Sequence, residues 1–161
     1  MAKLKKSALS AFSAGDAGEK LVRDIFERAG YATRKAEEKI GHDFLVDENF
    51  RVEVKNDLMS GKTGNIAIEY RNSRKDSPSG IEATKADYWV HIVYVAGEQQ
   101  VLLTRTSSLL KFTKEVKPKK TIASGGDGNA DLYIYSITDI VGSLFVRIDN
   151  NANLKEIISE L

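Results

Sequence analysis

The sequence predicts an α/β fold in which a central mixed sheet is flanked by helices. Three observations support this prediction: an amphipathic helical stripe near the start, a hairpin that alternates polar and apolar residues, and a nearly continuous apolar run later in the chain. The chain has 161 residues, the usual length of one domain, and shows no internal repeat. We therefore predict a single domain over residues 1–161.

Composition narrows the class of protein. Hydrophobic residues make up 42% of the chain and charged residues 29%, which is typical of a globular protein and excludes wholesale disorder. The chain has no cysteine, which excludes disulfides, thiolate zinc sites and cysteine nucleophiles. The basic start is followed by no apolar run of signal or membrane length, so we expect a soluble, cytoplasmic protein with no membrane partner.

The formal net charge of +1 results from cancellation between oppositely charged segments. Residues 41–104 carry seven basic and ten acidic residues, whereas residues 105–120 carry six basic residues and one acidic residue. An acidic middle beside a basic stretch suits a protein that holds cations close to an anionic polymer, although a solvated lysine-rich loop would have the same composition.

The first predicted element is a helix over residues 16–30, whose apolar residues recur at helical spacing. Asp16 is placed to cap its N-terminus, and Gly30 is placed to end it. We expect residues 1–12 to form a mobile basic arm and residues 31–34 to enter a short first strand.

Residues 41–46 and 50–55 predict a β-hairpin around the polar loop 47–49. A three-residue loop places the apolar residues of both strands on one face, whereas a two-residue loop would mix them with Arg51 and Glu53, which burial opposes. The predicted register pairs Val46 with Phe50, Phe44 with Val52 and Asp43 with Glu53. The polar face then holds Asp43, Leu45, Arg51, Glu53 and Lys55.

The later elements are predicted from alternation, apolar runs and turn residues. The first is a third hairpin strand over residues 65–70, with Ile66, Ile68 and Tyr70 inward. A short helix over 79–86, capped by Ser79, and a buried central strand over 87–95 follow. The rest are a strand at 101–103, a helix over 105–112, a flexible basic and glycine-rich loop over 114–128, a strand at 132–135 and a terminal helix over 153–161. Residues 137–149 show no clear pattern.

Two carboxylates and a lysine on the polar face of the hairpin point to metal chemistry. Like charges that converge on one surface are costly unless a cation lies between them. Asp43 and Glu53 offer the oxygen ligands that Mg²⁺ prefers, and the main-chain carbonyl of Val54 can add another. Lys55 lies on the same side of its strand as Glu53 and can orient or deprotonate a water for phosphodiester cleavage. The alternative is an exposed charged sheet face.

This ordered set resembles the PD-(D/E)xK nuclease superfamily. The motif consists of Asp43 followed by Glu53-Val54-Lys55, and Glu19 precedes it on the first helix. The resemblance covers about residues 15–95, and residues 79–90 look like the helix-to-strand segment of small phage-type and Holliday-junction-resolvase-like nucleases. His42 stands where the name of the motif expects proline.

The resemblance implies a restriction-endonuclease-like core of α-β-β-β-α-β order and cleavage of DNA with one or two Mg²⁺ ions, for which Mn²⁺ can substitute. It implies that Asp43 and Glu53 are metal ligands and that Lys55 is the catalytic lysine. Glu19 would be an accessory acid that approaches a metal through water.

Three further residues are accessory candidates with structural alternatives. Glu69 can be another ligand or orient a water, or it can pair with Arg71 or Lys55. Lys85 can contact the scissile phosphate, or it can be a helix-end lysine that favours the macrodipole. His42 can touch substrate. We expect His91 to be a core residue with its polar atoms satisfied.

We expect DNA to bind at lysine-rich segments of the chain, because non-specific DNA affinity comes mainly from phosphate contacts. The candidates are Lys3, Lys5, Lys6, Lys111, Lys114, Lys117, Lys119 and Lys120. The glycine run at residues 125–128 lacks the strand and helix context of a nucleotide-binding loop, so no nucleotide cofactor is expected.

The sequence thus favours a Mg²⁺-dependent DNA endonuclease that is selective for branched structures. Cleavage of a four-way junction would require a homodimer. Two alternatives stay open: a sequence-specific nuclease of restriction or homing type that reads bases through residues 105–150, and a non-catalytic nucleic-acid-binding module on the same fold.

Overall fold

The computed structural model describes residues 2–37, 41–125, 128–150 and 153–161, with the side chains of residues 2–13 left undescribed. The strands in chain order are β1 (Thr33–Lys35), β2 (Phe44–Val46), β3 (Phe50–Asn56), β4 (Asn65–Asn72), β5 (Ser77–Pro78), β6 (Tyr88–Val95), β7 (Glu98–Arg105), β8 (Lys120–Gly125), β9 (Ala130–Ser136) and β10 (Val146–Arg147). The helices are α1 (Ala2–Arg28), α2 (Ser60–Thr63), α3 (Thr106–Glu115), α4 (Ile137–Ile140), α5 (Leu154–Glu160) and a 3-10 helix, Gly80–Glu82.

The larger sheet has six strands in the order β1-β2-β3-β6-β7-β10. Strands β3 and β6 pair in parallel, and the other described pairs are antiparallel. The predicted α/β architecture with a mixed central sheet is therefore confirmed. Strand β6 is almost entirely buried, as its continuous apolar run predicts for a central strand.

The hairpin of β2 and β3 has the predicted register. Phe44 pairs with Val52, and Val46 pairs with Phe50. Two loop residues, Asp47 and Glu48, have positive φ values of 51° and 52°, which lets a three-residue loop reverse the chain. The apolar set therefore lies on one face and the polar set on the other.

Helix α1 begins earlier than the sequence predicts. It runs over Ala2–Arg28, so Asp16 lies within the helix and does not cap its N-terminus, and most of the expected arm of residues 1–12 belongs to the same helix. The predicted end is confirmed: Gly30 follows the last turn with φ of 95°, a left-handed conformation that glycine adopts without strain.

Two apolar cores lie on opposite faces of the larger sheet. Helices α1 and α5 cover one face over a cluster that includes Phe26, Phe44, Val52, Val90 and Leu154. The second cluster unites the other face with the smaller sheet and with α3 and α4, and includes Ile66, Trp89, Leu102, Leu109 and Ile140. Both clusters are buried, so the larger sheet is covered on both sides.

The smaller sheet has four strands in the order β5-β4-β9-β8. The prediction that residues 65–70 add a third strand to the hairpin is wrong, because β4 pairs with β5 and β9. Its inward residues are nevertheless as predicted, since Ile66 and Ile68 are fully buried. The chain from β3 to β6 therefore passes through the smaller sheet.

Two other predicted elements differ from the structure. Residues 79–86 form only the 3-10 helix Gly80–Glu82, and Ser79 makes no capping hydrogen bond through its side chain. The predicted flexible loop over 114–128 contains β8, which pairs with β9, while residues 126–127 lie outside the described part of the chain. No helix in the described part is both long enough and apolar enough to cross a membrane.

Candidate functional site

The hairpin brings Asp43, Glu53 and Lys55 together, as its register predicts. The Lys55 ammonium lies 2.8 Å from Glu53 Oε1. Asp43 Oδ2 accepts a hydrogen bond of 2.7 Å from the main-chain N–H of Val54, the residue between the other two. The side chain of Glu53 is 14% exposed and that of Lys55 is 37% exposed, so the group is open to solvent on one side.

The same hydrogen bond indicates where the Val54 carbonyl points. In a strand, the N–H and C=O of one residue point to the same side, because paired residues exchange both bonds with one neighbour. Since the Val54 N–H is directed at Asp43, its carbonyl also faces the β2 side. Two carboxylates and one carbonyl, all of them oxygen donors that could bind a metal ion, therefore lie at this edge.

The pKa of Asp43 indicates that the nearby positive charge does not compensate for its burial and for the neighbouring carboxylate. Burial, followed by the charge of the neighbouring Glu53 carboxylate, raises the pKa of Asp43 to about 6. The Val54 N–H and the Lys55 ammonium oppose this shift but do not cancel it. A cation bound between the two carboxylates would relieve the repulsion.

Lys55 lies between the acidic groups and an aromatic ring. Burial alone would lower the pKa of Lys55, but the carboxylate of Glu53, followed by those of Asp43 and Glu69, holds it above its ordinary value. The ammonium also lies 5.7 Å from the centroid of the Trp89 ring. Lys55 is therefore held as a cation beside the carboxylates.

Helix α1 brings Glu19 to this group through a close approach at Gly18. A Cβ on Gly18 would lie 3.1 Å from Asn56 Cβ and 3.1 Å from Ile92 Cδ1, so glycine lets the helix pack tightly on β3 and β6. The pKa of Glu19 is raised by burial, and the Glu53 carboxylate contributes. Glu19 therefore lies within electrostatic range of Glu53 and Asp43, and its role as an accessory acid stays a prediction.

Glu69 also belongs to this region, although it comes from the smaller sheet. Its carboxylate contributes to the raised pKa of Lys55. Arg71, one of its two expected partners, pairs instead with Asp76 and Asp131. The close packing of Gly80 on the Glu69 main chain holds this part of β4 in place.

Lys85 packs against the segment that leads into β2, and His42 belongs to that segment. The Lys85 N–H donates a 2.9 Å hydrogen bond to the Gly41 carbonyl, two residues before Asp43. Lys85 follows the 3-10 helix in an irregular segment, so the alternative of a helix-end lysine is wrong. His42 is partly buried directly before Asp43. Roles in substrate contact for both residues stay predictions.

The predicted phosphate-binding lysines of the second half are exposed. Lys111 pairs with Glu115 at 3.9 Å on α3, and Lys120 begins β8 opposite Ile134 of β9. Ala67 also pairs with Ile134, so Lys120 and Glu69 lie on the same face of the smaller sheet. Two strand spacings, roughly 10 Å, separate β8 from β4. The side chains of Lys3, Lys5 and Lys6 lie outside the described part of the chain.

A buried hydrogen-bond chain behind the site includes Asp57, a residue missing from the predicted set. Trp89 Nε1 donates to His91 Nδ1 at 3.1 Å, and His91 Nε2 lies 3.1 Å from Asp57 Oδ2. The prediction that His91 is a satisfied core residue is confirmed. Asp57 follows the predicted strand, and its spacing of two residues from Lys55 is the signal that could have placed it on the same strand face.

The donor set fits a Mg²⁺ ion. No group of three or more histidine, cysteine, aspartate or glutamate side chains within the described residues is arranged to hold a metal ion by itself. Mg²⁺ does not require such a cage, because it keeps several waters and is usually bound through one or two carboxylates and a substrate phosphate. Asp43, Glu53 and the Val54 carbonyl match that requirement.

Comparisons with known proteins include a distant structural similarity. No family model matches the chain, and no curated protein matches it. The chain is similar to the structure of a bacterial homing endonuclease, I-Ssp6803I, with a TM-score of 0.46 and 20% sequence identity. The match covers 60% of this chain and 70% of that one. A similarity of this degree assigns no activity to the chain.

Proposed function

We propose that the protein is a Mg²⁺-dependent DNA endonuclease that hydrolyses phosphodiester bonds. The observation that carries this proposal is the convergence of Asp43, Glu53 and Lys55 on one solvent-open edge of the hairpin, with the Val54 carbonyl beside them. Burial, and after it the charge of Glu53, raises the pKa of Asp43, so the ionised pair is costly to the fold unless a cation binds there.

Each residue has a separate role in the proposed reaction. Asp43 and Glu53 would hold the ion through carboxylate oxygens, and Val54 through its carbonyl. When bound, Mg²⁺ would activate the attacking water and offset the charge that develops on the phosphate. Lys55 donates hydrogen bonds from its ammonium and orients the water or a phosphate oxygen. Glu19 acts as an accessory acid from helix α1.

The phosphate backbone of the DNA is bound by exposed lysines. Lys114, Lys117, Lys119 and Lys120 extend from the end of α3 into β8, and Lys120 lies on the face of the smaller sheet that also carries Glu69. This surface allows contacts to phosphates that do not depend on base sequence. We further propose selectivity for branched DNA, with two copies of the chain spacing their sites on a four-way junction.

A second candidate is a sequence-specific endonuclease of homing type. One observation favours it: residues 120–125, expected as a flexible loop, form the exposed edge strand β8 of an antiparallel sheet. Antiparallel strands can enter the major groove and read base edges. Such a reader would cut linear duplex DNA at defined sites.

One cleavage experiment tests the proposal and separates the two candidates. Wild type, Glu53→Ala and a control variant, Glu48→Ala, are incubated with Mg²⁺ and with supercoiled plasmid, linear duplex, flap and four-way junction DNA. Glu48 lies in the loop of the same hairpin and pairs with Arg34 at the surface. We expect cleavage by wild type and Glu48→Ala, and loss of cleavage in Glu53→Ala.

The pattern of cuts then identifies the substrate. Symmetric cuts confined to the junction support the structure-selective enzyme, and defined cuts in linear duplex support the homing-type enzyme. Cleavage that survives in Glu53→Ala contradicts the assigned site. DNA that is bound equally with EDTA and never cut would identify a non-catalytic binding module.

Metal binding is measured independently of cleavage by thermal unfolding. An ion that binds only the folded state raises the melting temperature by mass action. We expect millimolar MgCl₂ to raise the melting temperature of wild type and of Glu48→Ala, and to have little effect on Glu53→Ala. An equal rise in all three proteins would show that the ion binds elsewhere.

A further inference from the structure

The ammonium of Lys55 has a second contact besides Glu53. It lies 5.7 Å from the centroid of the Trp89 ring, within the range of a cation–π interaction. The parallel pairing of β3 with β6 creates this contact, because Glu53 is aligned with Trp89 and Lys55 with His91. The indole is fully buried, so the ring gives the lysine a fixed packing surface.

The ring itself is held by the buried hydrogen-bond chain. An indole N–H can only donate, so His91 Nδ1 must accept the 3.1 Å hydrogen bond from Trp89. The imidazole proton is therefore on Nε2, which donates to Asp57 Oδ2 at 3.1 Å. The Ala67 N–H also donates to Asp57 Oδ2, at 3.0 Å. The chain thus connects β6 of the larger sheet with β4 of the smaller one.

A lysine needs such a packing surface if its ammonium is to be held in one position. The lysine stem is long and flexible. Because the Lys55 side chain is 37% exposed, its ion pair with Glu53 restricts the position of the ammonium only weakly. A second contact to the same ammonium removes much of the remaining freedom. Trp89 supplies that contact from a ring that cannot tilt without breaking its bond to His91.

We propose that Trp89 is a positioning residue that holds the Lys55 ammonium beside Glu53, and that His91 and Asp57 act through it by fixing the ring. The proposal rests on the endonuclease function only for its catalytic consequence. The contact between ammonium and ring exists whatever reaction the site performs. The two parts can therefore be tested separately.

The contact is tested without DNA or metal through fluorescence. Trp89 is the single tryptophan of the chain, so all indole emission comes from this ring. Removing a positive charge next to the ring must alter its emission. We expect Lys55→Met to change the intensity or the wavelength maximum, while Lys62→Met, at an exposed position on α2, leaves both unchanged. Unchanged emission in Lys55→Met would overturn the proposal.

The catalytic consequence is tested by Trp89→Phe and His91→Leu, each assayed below its own melting temperature. Trp89→Phe keeps an aromatic face but has no N–H, and His91→Leu leaves the indole N–H without its acceptor. Because Trp89 positions the Lys55 ammonium for the reaction, we expect kcat to fall about tenfold with KM nearly unchanged. A merely structural role would lower the melting temperature and leave kcat intact in folded protein.

Each outcome has a separate meaning. Normal kcat in folded Trp89→Phe and His91→Leu overturns the positioning role. If neither variant folds, the emission of Lys55→Met still decides whether the contact exists. Wild type that cleaves no DNA, together with altered emission in Lys55→Met, refutes the endonuclease function and leaves the contact established.

Discussion

The carboxylate of Asp43 accepts a 2.7 Å hydrogen bond from the main-chain N–H of Val54 on the neighbouring strand. This bond fixes the carboxylate at the level of Glu53 and Lys55, and the Val54 carbonyl faces the same edge because the N–H and C=O of one strand residue point to the same side. The site is therefore built from the hairpin register itself. A shift of one residue in that register would separate the two carboxylates and place one of them in the core.

Removing the charge of Asp43 should stabilise the metal-free protein. The pKa of Asp43 is raised in the folded state, so its ionised form is less favourable there than in the unfolded chain, and the full cost is present above about pH 6. Asp43→Asn keeps an oxygen acceptor for Val54 and has no charge. In EDTA at pH 7 we expect a gain on the order of 1 kcal/mol in urea unfolding.

Asp43→Ala is the matched comparison, because it removes both the charge and the acceptor. The Val54 N–H then has no partner, which costs about 1–3 kcal/mol. We expect Asp43→Ala to be less stable than Asp43→Asn, and both to lose Mg²⁺-dependent cleavage. Equal stability of the two variants would mean that the bond to Val54 contributes nothing.

Gly80→Ala should be strongly destabilising and should disturb the site. Gly80 has φ of 51°, and a Cβ there would collide with the main-chain carbonyl of Glu69, which cannot move without shifting β4. Gly97→Ala is the control, because Gly97 has φ of 80° but no atom within 4 Å of an added Cβ. We expect a cost of about 1 kcal/mol at Gly97 and about 1–3 kcal/mol more at Gly80.

Circular dichroism in urea measures both decreases in stability. Cleavage assays on the folded fraction should show reduced activity in Gly80→Ala alone, because Glu69 is displaced from Lys55. Similar stability of the two alanine variants would contradict the close packing between the 3-10 helix and β4.

Stability should fall in acid through Asp57. Burial would raise the pKa of Asp57, but the hydrogen bond from His91 and those from the N–H groups of Ala67 and Ser60 outweigh burial and lower it. A depressed pKa contributes stability above the unfolded value of about 3.9, and this stability disappears as pH falls through the lower folded value.

Urea unfolding at pH 7 and pH 3 tests this dependence in wild type, Asp57→Asn and Asp139→Asn. Asparagine keeps an acceptor for His91 but does not titrate in this range. We expect Asp57→Asn to lose less stability between the two pH values than wild type, and Asp139→Asn, at an exposed position on α4, to behave as wild type. An identical decrease in all three proteins would contradict the assigned role of Asp57.

The exposed lysines should control the salt dependence of DNA binding. Lys117→Ala, Lys119→Ala and Lys120→Ala, combined in one variant, remove charges next to β8. The plot of log affinity against log salt should become shallower by about 0.9 for each phosphate of duplex DNA that the variant no longer neutralises. Lys20→Ala is the control, because Lys20 pairs with Asp24 on α1. An unchanged slope in the triple variant would place the DNA elsewhere.

Much of the candidate site could be predicted from local pattern. The alternation of Phe44 to Lys55 allows one hairpin register that buries the apolar set, and this register brings Asp43, Glu53 and Lys55 together. The apolar stripe also predicts the helix that carries Glu19. It does not predict where that helix starts, because nothing local distinguishes Asp16 in a helix interior from Asp16 as a cap.

The partners of β4 could not be predicted in this way. Strand β4 pairs with β9, which lies far later in the chain, and not with the neighbouring hairpin. Its alternation identifies which side chains are buried but contains no information on which strand lies alongside. The same limit applies to strand β8, whose lysine and glycine look locally like a loop.

The amino-acid sequence by itself determined the hairpin, its register and the acidic edge that carries the proposed chemistry, because side-chain burial with a period of two leaves one arrangement. Tertiary structure alone decided the parallel pairing of β3 with β6 and the union of the two sheets. Those interactions put Trp89 below Lys55, link His91 to Asp57 and bring Glu69 near the site. They depend on residues far apart in the chain, whose meeting is set by the packing of two cores and not by local pattern.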